Sequence, residues 1–146
     1  MLHPHKSIAP LDLSGPILGA ALVAPWGEFR TNATSYTRNA AKDSIDAPVL
    51  QKWSAYYMGG AKADNYNQPF RAVAGWWKDL HGVVQNVIVT AGTDEVLLDD
   101  IQAFADTLKV SRYLAARQYV DFELRKFSQV RRSWSLGSGK SMISLS

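Results

Sequence analysis

The chain has 146 residues, one domain's worth, with 47% hydrophobic and 20% charged residues, a composition that excludes a disordered or collagen-like protein. It contains no cysteine, which removes disulfide scaffolds, thiolate zinc sites, iron–sulfur clusters and cysteine nucleophiles. The net charge of +3 is uneven: residues 1–109 carry nine Lys/Arg against eleven Asp/Glu, and residues 110–146 carry seven against two, so pI alone argues for no nucleic-acid partner.

In chain order, Met1 to Gly15 holds two of the six prolines and no periodicity, and reads as a lead-in over residues 1–15. The run Gly-Ala-Ala-Leu-Val-Ala from Gly19, stopped by Pro25-Trp26, fits a strand buried on both faces. Arg30 to Asp46 is polar and reads as a loop with turns. Pro48 to Met58 is expected to be a helix, with Val49, Leu50, Trp53, Tyr56 and Tyr57 at three- and four-residue spacing and Gly59-Gly60 closing it. Residues 61–82 read mostly as loop, with Trp76-Trp77 as packing anchors.

Gln85 to Thr90 is rich in β-branched residues and bounded by Gly92, the signature of a second buried strand. Leu97, Ile101, Phe104, Ala105 and Leu108 then mark one face of an amphipathic helix, with Asp99 and Asp100 near its first turn. An all-apolar strand, a turn and a helix in that order indicate a parallel α/β unit. Farther on, Val120, Leu124, Phe127 and Arg131 recur at helical spacing, which predicts a helix between Tyr113 and Val130 with Arg125, Lys126, Arg131 and Arg132 on its solvated side. A domain over 16–130 and a flexible Ser/Gly-rich basic tail over 131–146 follow from these shifts in composition.

Chemistry in open α/β sheets gathers at the carboxyl ends of strands, which is where Gly92-Thr93-Asp94-Glu95 falls. Adjacent carboxylates there can orient a histidine, bind a metal, or cap the next helix through Thr93 or Asp94. The run Val-Ile-Val-Thr-Ala-Gly-Thr-Asp-Glu-Val-Leu-Leu-Asp-Asp-Ile, residues 87–101, resembles the acid-bearing segment of hormone-sensitive-lipase-like α/β hydrolases. Ala-Ala-Leu-Val-Ala-Pro-Trp-Gly, residues 20–27, is similar to an earlier strand of that family ending in Ser-Pro-Trp. The resemblance covers roughly Leu11 to Leu108 and extends over Tyr113 to Phe127. It implies a partial α/β-hydrolase fold, made of the C-terminal strands and helices of a mostly parallel sheet. It also implies a small carboxylic ester as substrate, no cofactor, and Glu95 as the acid of a Ser–Asp/Glu–His triad, with Asp94 the alternative after a one-residue shift.

The rest of that machinery is missing from this sequence. There is no Gly-x-Ser-x-Gly elbow and no His-Gly-Gly oxyanion segment, and Gly137-Ser138-Gly139 lacks both the five-residue motif and a preceding strand. In the family's chain order the histidine follows the acid, yet His3, His5 and His81 all precede Glu95. Where related sequences have His-Val-Asp-Phe, this chain has Tyr119-Val120-Asp121-Phe122, so the resemblance puts Tyr119 in the histidine's place; a phenol with a pKa of about 10 is a poor general base.

Weaker motifs carry less. Gly139-Lys140-Ser141 resembles the end of a phosphate-binding loop without its first glycine, His3-x-His5 lacks a third metal ligand, and Asn32-Ala33-Thr34 is a glycosylation sequon meaningful only after secretion. The first residues show none of the basic region, apolar stretch and small-residue cleavage site of a secretory signal, and no apolar run nears the roughly 20 residues of a membrane helix, so an intracellular, cytoplasmic address is the expectation, with no clear membrane or nucleic-acid partner. Two functional readings follow: a hydrolase portion inactive by itself, or a non-catalytic module whose exposed sheet edges pair with another polypeptide.

Overall fold

The computed structural model describes residues 3–113 and the strand backbone of 119–125. The expected basic tail over 131–146, Gly137-Ser138-Gly139, Gly139-Lys140-Ser141 and the side chains of Lys126, Phe127, Arg131 and Arg132 lie outside the described residues. Three strands, β1 (Ala20–Val23), β2 (Asn86–Gly92) and β3 (Tyr119–Arg125), form a parallel sheet in the order β1-β2-β3. Ala20 pairs with Val87 and Val23 with Thr90 across β1 and β2, while Asn86 pairs with Tyr119 and Gly92 with Arg125 across β2 and β3. A parallel bridge between Ile17 and Val84 extends the β1 side toward the amino ends.

Helices α1 (Thr34–Arg38) and α2 (Ala47–Met58) and three short 3₁₀ turns join β1 to β2, and α3 (Leu98–Tyr113) joins β2 to β3. The polar stretch read as a loop therefore contains α1. Its single turn is too short to print a periodicity and is held by distant partners instead. Helix α2 follows its local signals. Asp46 caps it by accepting from the Val49 amide at 2.9 Å, Pro48 sits in its first turn, and Gly59 ends it in the left-handed region at φ 52°.

The apolar stripe of α2 is where expectation and structure part. Only Leu50 and Ser54 are buried, while Trp53, Tyr56 and Tyr57 are exposed. Helical spacing identifies a face without saying what covers it. The segment expected to be a helix after Tyr113 contains β3. Val120, Phe122 and Leu124 alternate as well as Val120, Leu124 and Phe127 recur, and the open edge of β2 resolves the ambiguity in favour of a strand.

The principal core lies on one face of the sheet. Val87, Val89 and Ala91 of β2 pack against Ile101, Phe104, Ala105 and Leu108 of α3, with Ala20, Leu22, Phe70, Trp77 and Leu80 around them. The i, i+3, i+4, i+7 spacing on α3 turns those four side chains to the sheet, and each fully buried large one contributes about 1.5–3 kcal/mol. A smaller cluster of Tyr36, Leu50 and Val96, flanked by Trp26 and Leu97, ties α1 and α2 to the loop after β2. Trp76 and Trp77 do act as packing anchors: Trp77 meets Phe104 edge-on, and Trp76 stacks on His3 with ring centroids 4.3 Å apart.

Candidate functional site

The loop Thr93 to Leu97 leaves the carboxyl end of β2 and is fixed largely by residues about 50–60 positions earlier in the chain. Asn39, which ends α1 and is wholly buried, donates from Nδ2 to the carbonyls of Thr93 at 3.2 Å and Glu95 at 2.7 Å. Asp43 accepts from the Val96 amide at 2.7 Å. Ser35, also buried, donates its hydroxyl to the Val96 carbonyl at 2.6 Å, and its backbone amide donates to Asp99 at 2.8 Å. Arg38 closes this network with a 2.7 Å ion pair to Asp99. These contacts satisfy the Thr93 carbonyl and both backbone groups of Val96, and they add a second donor to the Glu95 carbonyl, which also accepts from the Leu98 amide at 3.3 Å.

Within that frame the two sequence candidates separate. Asp94 is half exposed and pairs with Lys42 at 3.3 Å, a surface contact worth about 0–1 kcal/mol. Glu95 turns back toward the strand end, and its Oε1 accepts from the Gly92 amide at 2.9 Å. Its Oε2 is buried and has no hydrogen-bond partner among the described residues. Burial pushes the Glu95 carboxyl above the usual carboxylate range; the Gly92 amide opposes that rise, and the Asp43 charge adds to it.

Gly92 makes the approach possible. A Cβ there would lie 2.9 Å from Glu95 Oε1 and 3.2 Å from its Cγ. Gly92→Ala is therefore expected to displace the carboxylate, break the amide contact and raise the Glu95 titration midpoint further, because a hydrogen bond that favours the charged form is lost. Carboxyl-carbon NMR titration of the variant measures this, and an unmoved midpoint would show that the amide does not hold the acid.

Capping by Thr93 or Asp94 does not occur. Helix α3 begins at Leu98, too far along for either side chain, and no side-chain bond from them to its amides is present among the described residues. The Ser35 hydroxyl accepts from the Asp99 amide at 3.3 Å instead. Tyr119 does not stand beside the acid either. It opens β3 opposite Asn86, so the length of β2, about 20 Å at roughly 3.3 Å per residue, separates it from Gly92 and the loop that carries Glu95.

The histidines serve other contacts. His3 lies 2.6 Å from the Trp76 carbonyl through Nε2, His5 meets the Tyr66 ring edge-on, and His81 occupies the 3₁₀ turn before β2. Among the described residues no group of three His, Asp or Glu could hold a metal ion, and no helix is long and apolar enough to cross a membrane.

A second polar cluster beside the loop was not legible in the sequence. Glu28, 5% exposed, accepts from Arg30 Nη2 at 2.7 Å and from the amides of Phe29 and Arg30. Burial alone would raise its pKa, but the Arg30 contacts and the Phe29 amide outweigh burial and hold it below the usual range. Asp100 neighbours the Tyr36 hydroxyl, yet Asp100 Oδ2 and Tyr36 Oη both lack a partner of good geometry among the described residues. Burial pushes Asp100 up to about 6, with Glu28 and Asp99 adding to the rise and Tyr36 and Arg30 opposing it.

A carboxyl whose folded pKa lies above its unfolded 3.8 favours folding most when protonated. Its contribution is complete below pH 4 and fades as pH rises through about 6. The unfolding free energy of the natural chain is thus expected to fall relative to Asp100→Asn between pH 4 and 6. Urea melts of both across that range check it; parallel curves would place Asp100 in a more solvated setting.

Below the sheet end, an apolar cavity of about 350 Å³ opens beside β1, between the sheet, α3 and the 69–84 segment. Ala20, Leu22, Trp26, Phe70, Val87 and Phe104 are among its walls, and Glu95 is not.

Comparison with known proteins agrees with this architecture. No family model and no curated protein matches the sequence. An esterase from the bacterial hormone-sensitive lipase (HSL) family matches in structure with a TM-score of 0.58 and 26% identity, over 75% of this chain and 33% of that one. A mutant of the esterase E40 matches with a TM-score of 0.60 and 25% identity, over 75% of this chain and 33% of its own. A hormone-sensitive lipase from a metagenome library, at 20% identity and a TM-score of 0.59, shares the fold over 74% and 34%. The chain spans about a third of the length of the solved structures it matches. It carries part of an α/β-hydrolase fold of the hormone-sensitive-lipase-like type, and its fold similarity is to esterases.

Proposed function

We propose that this chain is the acid-bearing portion of a serine ester hydrolase, with Glu95 as the triad acid, and that by itself it turns over no ester. The observation that carries the reading is the Glu95 carboxylate at the carboxyl end of β2, with Oε1 held by the Gly92 amide and Oε2 buried and without a partner among the described residues. A triad acid does one thing: it accepts from the imidazole Nδ1–H, fixes the tautomer and stabilises the imidazolium formed when histidine takes the serine proton. An oxygen already oriented and still lacking a donor suits that task. Asp94, spread toward Lys42 and solvent, does not.

The sequence supplies neither the nucleophile elbow nor a histidine after Glu95, so the attacking and proton-moving groups would have to come from elsewhere. The purified chain is expected to show no saturable turnover of an activated short-chain ester; turnover abolished by Glu95→Gln would overturn its inactivity. The acid role is tested in a chimera in which residues 87–101 replace the matched segment of the bacterial HSL-family esterase. Activity should survive with Glu95 and fall by about 10⁴-fold with Glu95→Gln, the loss typical of an acid replaced by its amide. An equally active Glu95→Gln chimera would remove Glu95 from the triad.

A second reading rests on a different observation, the outer edge of β1, which no strand pairs with among the described residues. A parallel sheet with an open apolar edge is a template for pairing, which makes association with another polypeptide the counterpart of an incomplete hydrolase sheet.

A further inference from the structure

The apolar cavity beside β1 has walls held by contacts of their own. Phe70 is clamped from two sides: its backbone amide donates to the Gly27 carbonyl at 3.1 Å, and its ring stacks on Phe104 at 4.1 Å with the planes 13° apart. A Cβ on Gly27 would lie 2.6 Å from the Phe70 ring, so glycine is what lets the chain after β1 come this close. Beside it, Gln68 Oε1 accepts from the Phe29 amide at 3.3 Å. β1, the turn after it, the 69–84 segment and α3 supply the walls, and their bonds to one another need no ligand. A site ordered in advance spares a ligand the cost of ordering it.

Those walls select by chemistry. No charged residue lines the cavity, and the only side-chain polar atoms on its residues are the indole nitrogens of Trp26 and Trp77. Both nitrogens are buried, without a hydrogen-bond partner among the described residues, and neither is open to a molecule in the cavity. Water is held by about two to four polar partners, which this space does not offer. Displacing such weakly held water by apolar carbon is favourable. A charged group would lose its hydration and find no replacement.

Size narrows the ligand further. A cavity of roughly 150 Å³ lined by Leu, Ile and Phe takes up benzene, and this one has about 350 Å³. It is scaled to a molecule of about twice benzene's bulk. One turn of a helix, about 10 Å across and about 5.4 Å high, would exceed it. Glu95 is not among the walls, so the site is separate from the candidate triad acid and does not depend on that assignment.

We propose that the cavity is a binding site for a small neutral hydrocarbon-bodied molecule, the size of a bicyclic aromatic, buried against Ala20, Leu22, Phe70 and Phe104. The walls come together only in the folded chain, so the bound molecule stabilises the fold.

The probe is naphthalene, added to the full chain and followed by NMR and by thermal unfolding. Methyl signals of Leu22, Val84, Val87 and Leu108 should shift along a one-site curve that saturates below the probe's solubility limit, and the unfolding midpoint should rise with its concentration. 2-Naphthoate, the same rings with a carboxylate, should bind at least about tenfold more weakly. Ala20→Ile fills the cavity from a strand that suits a β-branched residue. It should weaken naphthalene binding at least about tenfold, because its added carbons take the place of the ligand's own. Ala21→Ile, the same change one residue on, lies on the opposite face of the sheet and should bind as the natural chain does. Unsaturable shifts, equal binding by 2-naphthoate, equal losses in the two isoleucine variants, or shifts as large at the exposed Trp53 indole would overturn the proposal. So would sedimentation showing the natural chain to be a dimer that naphthalene dissociates, since a second copy would then be the occupant. If Ala20→Ile fails to fold, Leu22→Phe serves as the filling variant.

Discussion

Replacing Asn39 with aspartate is expected to destabilise the chain by about 3 kcal/mol or more, one of the two largest effects foreseen for any single substitution here. Asn39 is wholly buried and spends both amide protons on the carbonyls of Thr93 and Glu95. An ionised aspartate has no proton to give. It would leave the Thr93 carbonyl without its donor, at about 1–3 kcal/mol, leave the Glu95 carbonyl only the Leu98 amide at 3.3 Å, and set a buried negative charge against both oxygens. Asn39→Ala, which loses the bonds without adding the charge, should cost less. Urea unfolding with an unchanged slope measures both. The aspartate variant should recover part of its deficit at low pH, where protonation restores one donor. A loss below about 1 kcal/mol would mean that water satisfies the loop, and that Asn39 does not position the segment carrying Glu95.

Phe104→Ala is the other large expectation, at about 3–5 kcal/mol. Phe104 is 4% exposed, stacks on Phe70 at 4.1 Å and meets Trp77 edge-on at 5.6 Å. It is therefore the point at which the 69–84 segment is attached to α3. Truncation would enlarge the adjacent cavity, and the surrounding walls relax only partly. Trp fluorescence should shift to the red as Trp77 loses its cover, before or together with global unfolding. Phe104→Leu, which keeps most of the volume, should cost under about 1.5 kcal/mol. If alanine were tolerated at that level, the 69–84 segment would have to be held by something other than this ring.

The two substitutions probe different dependencies. Phe104 sits in the core whose apolar pattern is written along α3, whereas Asn39 serves a loop held largely by side chains distant in the sequence. Both bear on the same end of the sheet, because the placement of Glu95 needs β2 fixed beneath it and the Thr93 to Leu97 loop fixed beside it.

Much of this arrangement was legible in the amino-acid sequence. The β-branched run before Gly92 specifies β2, the spacing of Ile101, Phe104, Ala105 and Leu108 specifies the buried face of α3, and Asp46, Pro48 and Gly59 bound α2. These signals are local: each depends on side-chain periodicity or on backbone preferences within a few residues. The segment from Val87 to Ile101 was legible for the same reason, as a contiguous motif that includes a strand and the turn after it.

Tertiary structure decided the rest. Whether Val120, Leu124 and their neighbours form a helix or a strand depends on the open edge of β2, and whether the aromatic face of α2 is covered depends on what surrounds it. Asp94 and Glu95, adjacent in sequence, part because Gly92 offers an amide and space to one while Lys42 draws the other outward. Ser35, Asn39 and Asp43 reach that loop across more than fifty residues. Buried backbone groups must find partners wherever the fold brings them, and no pattern within a short window records which distant side chain will answer.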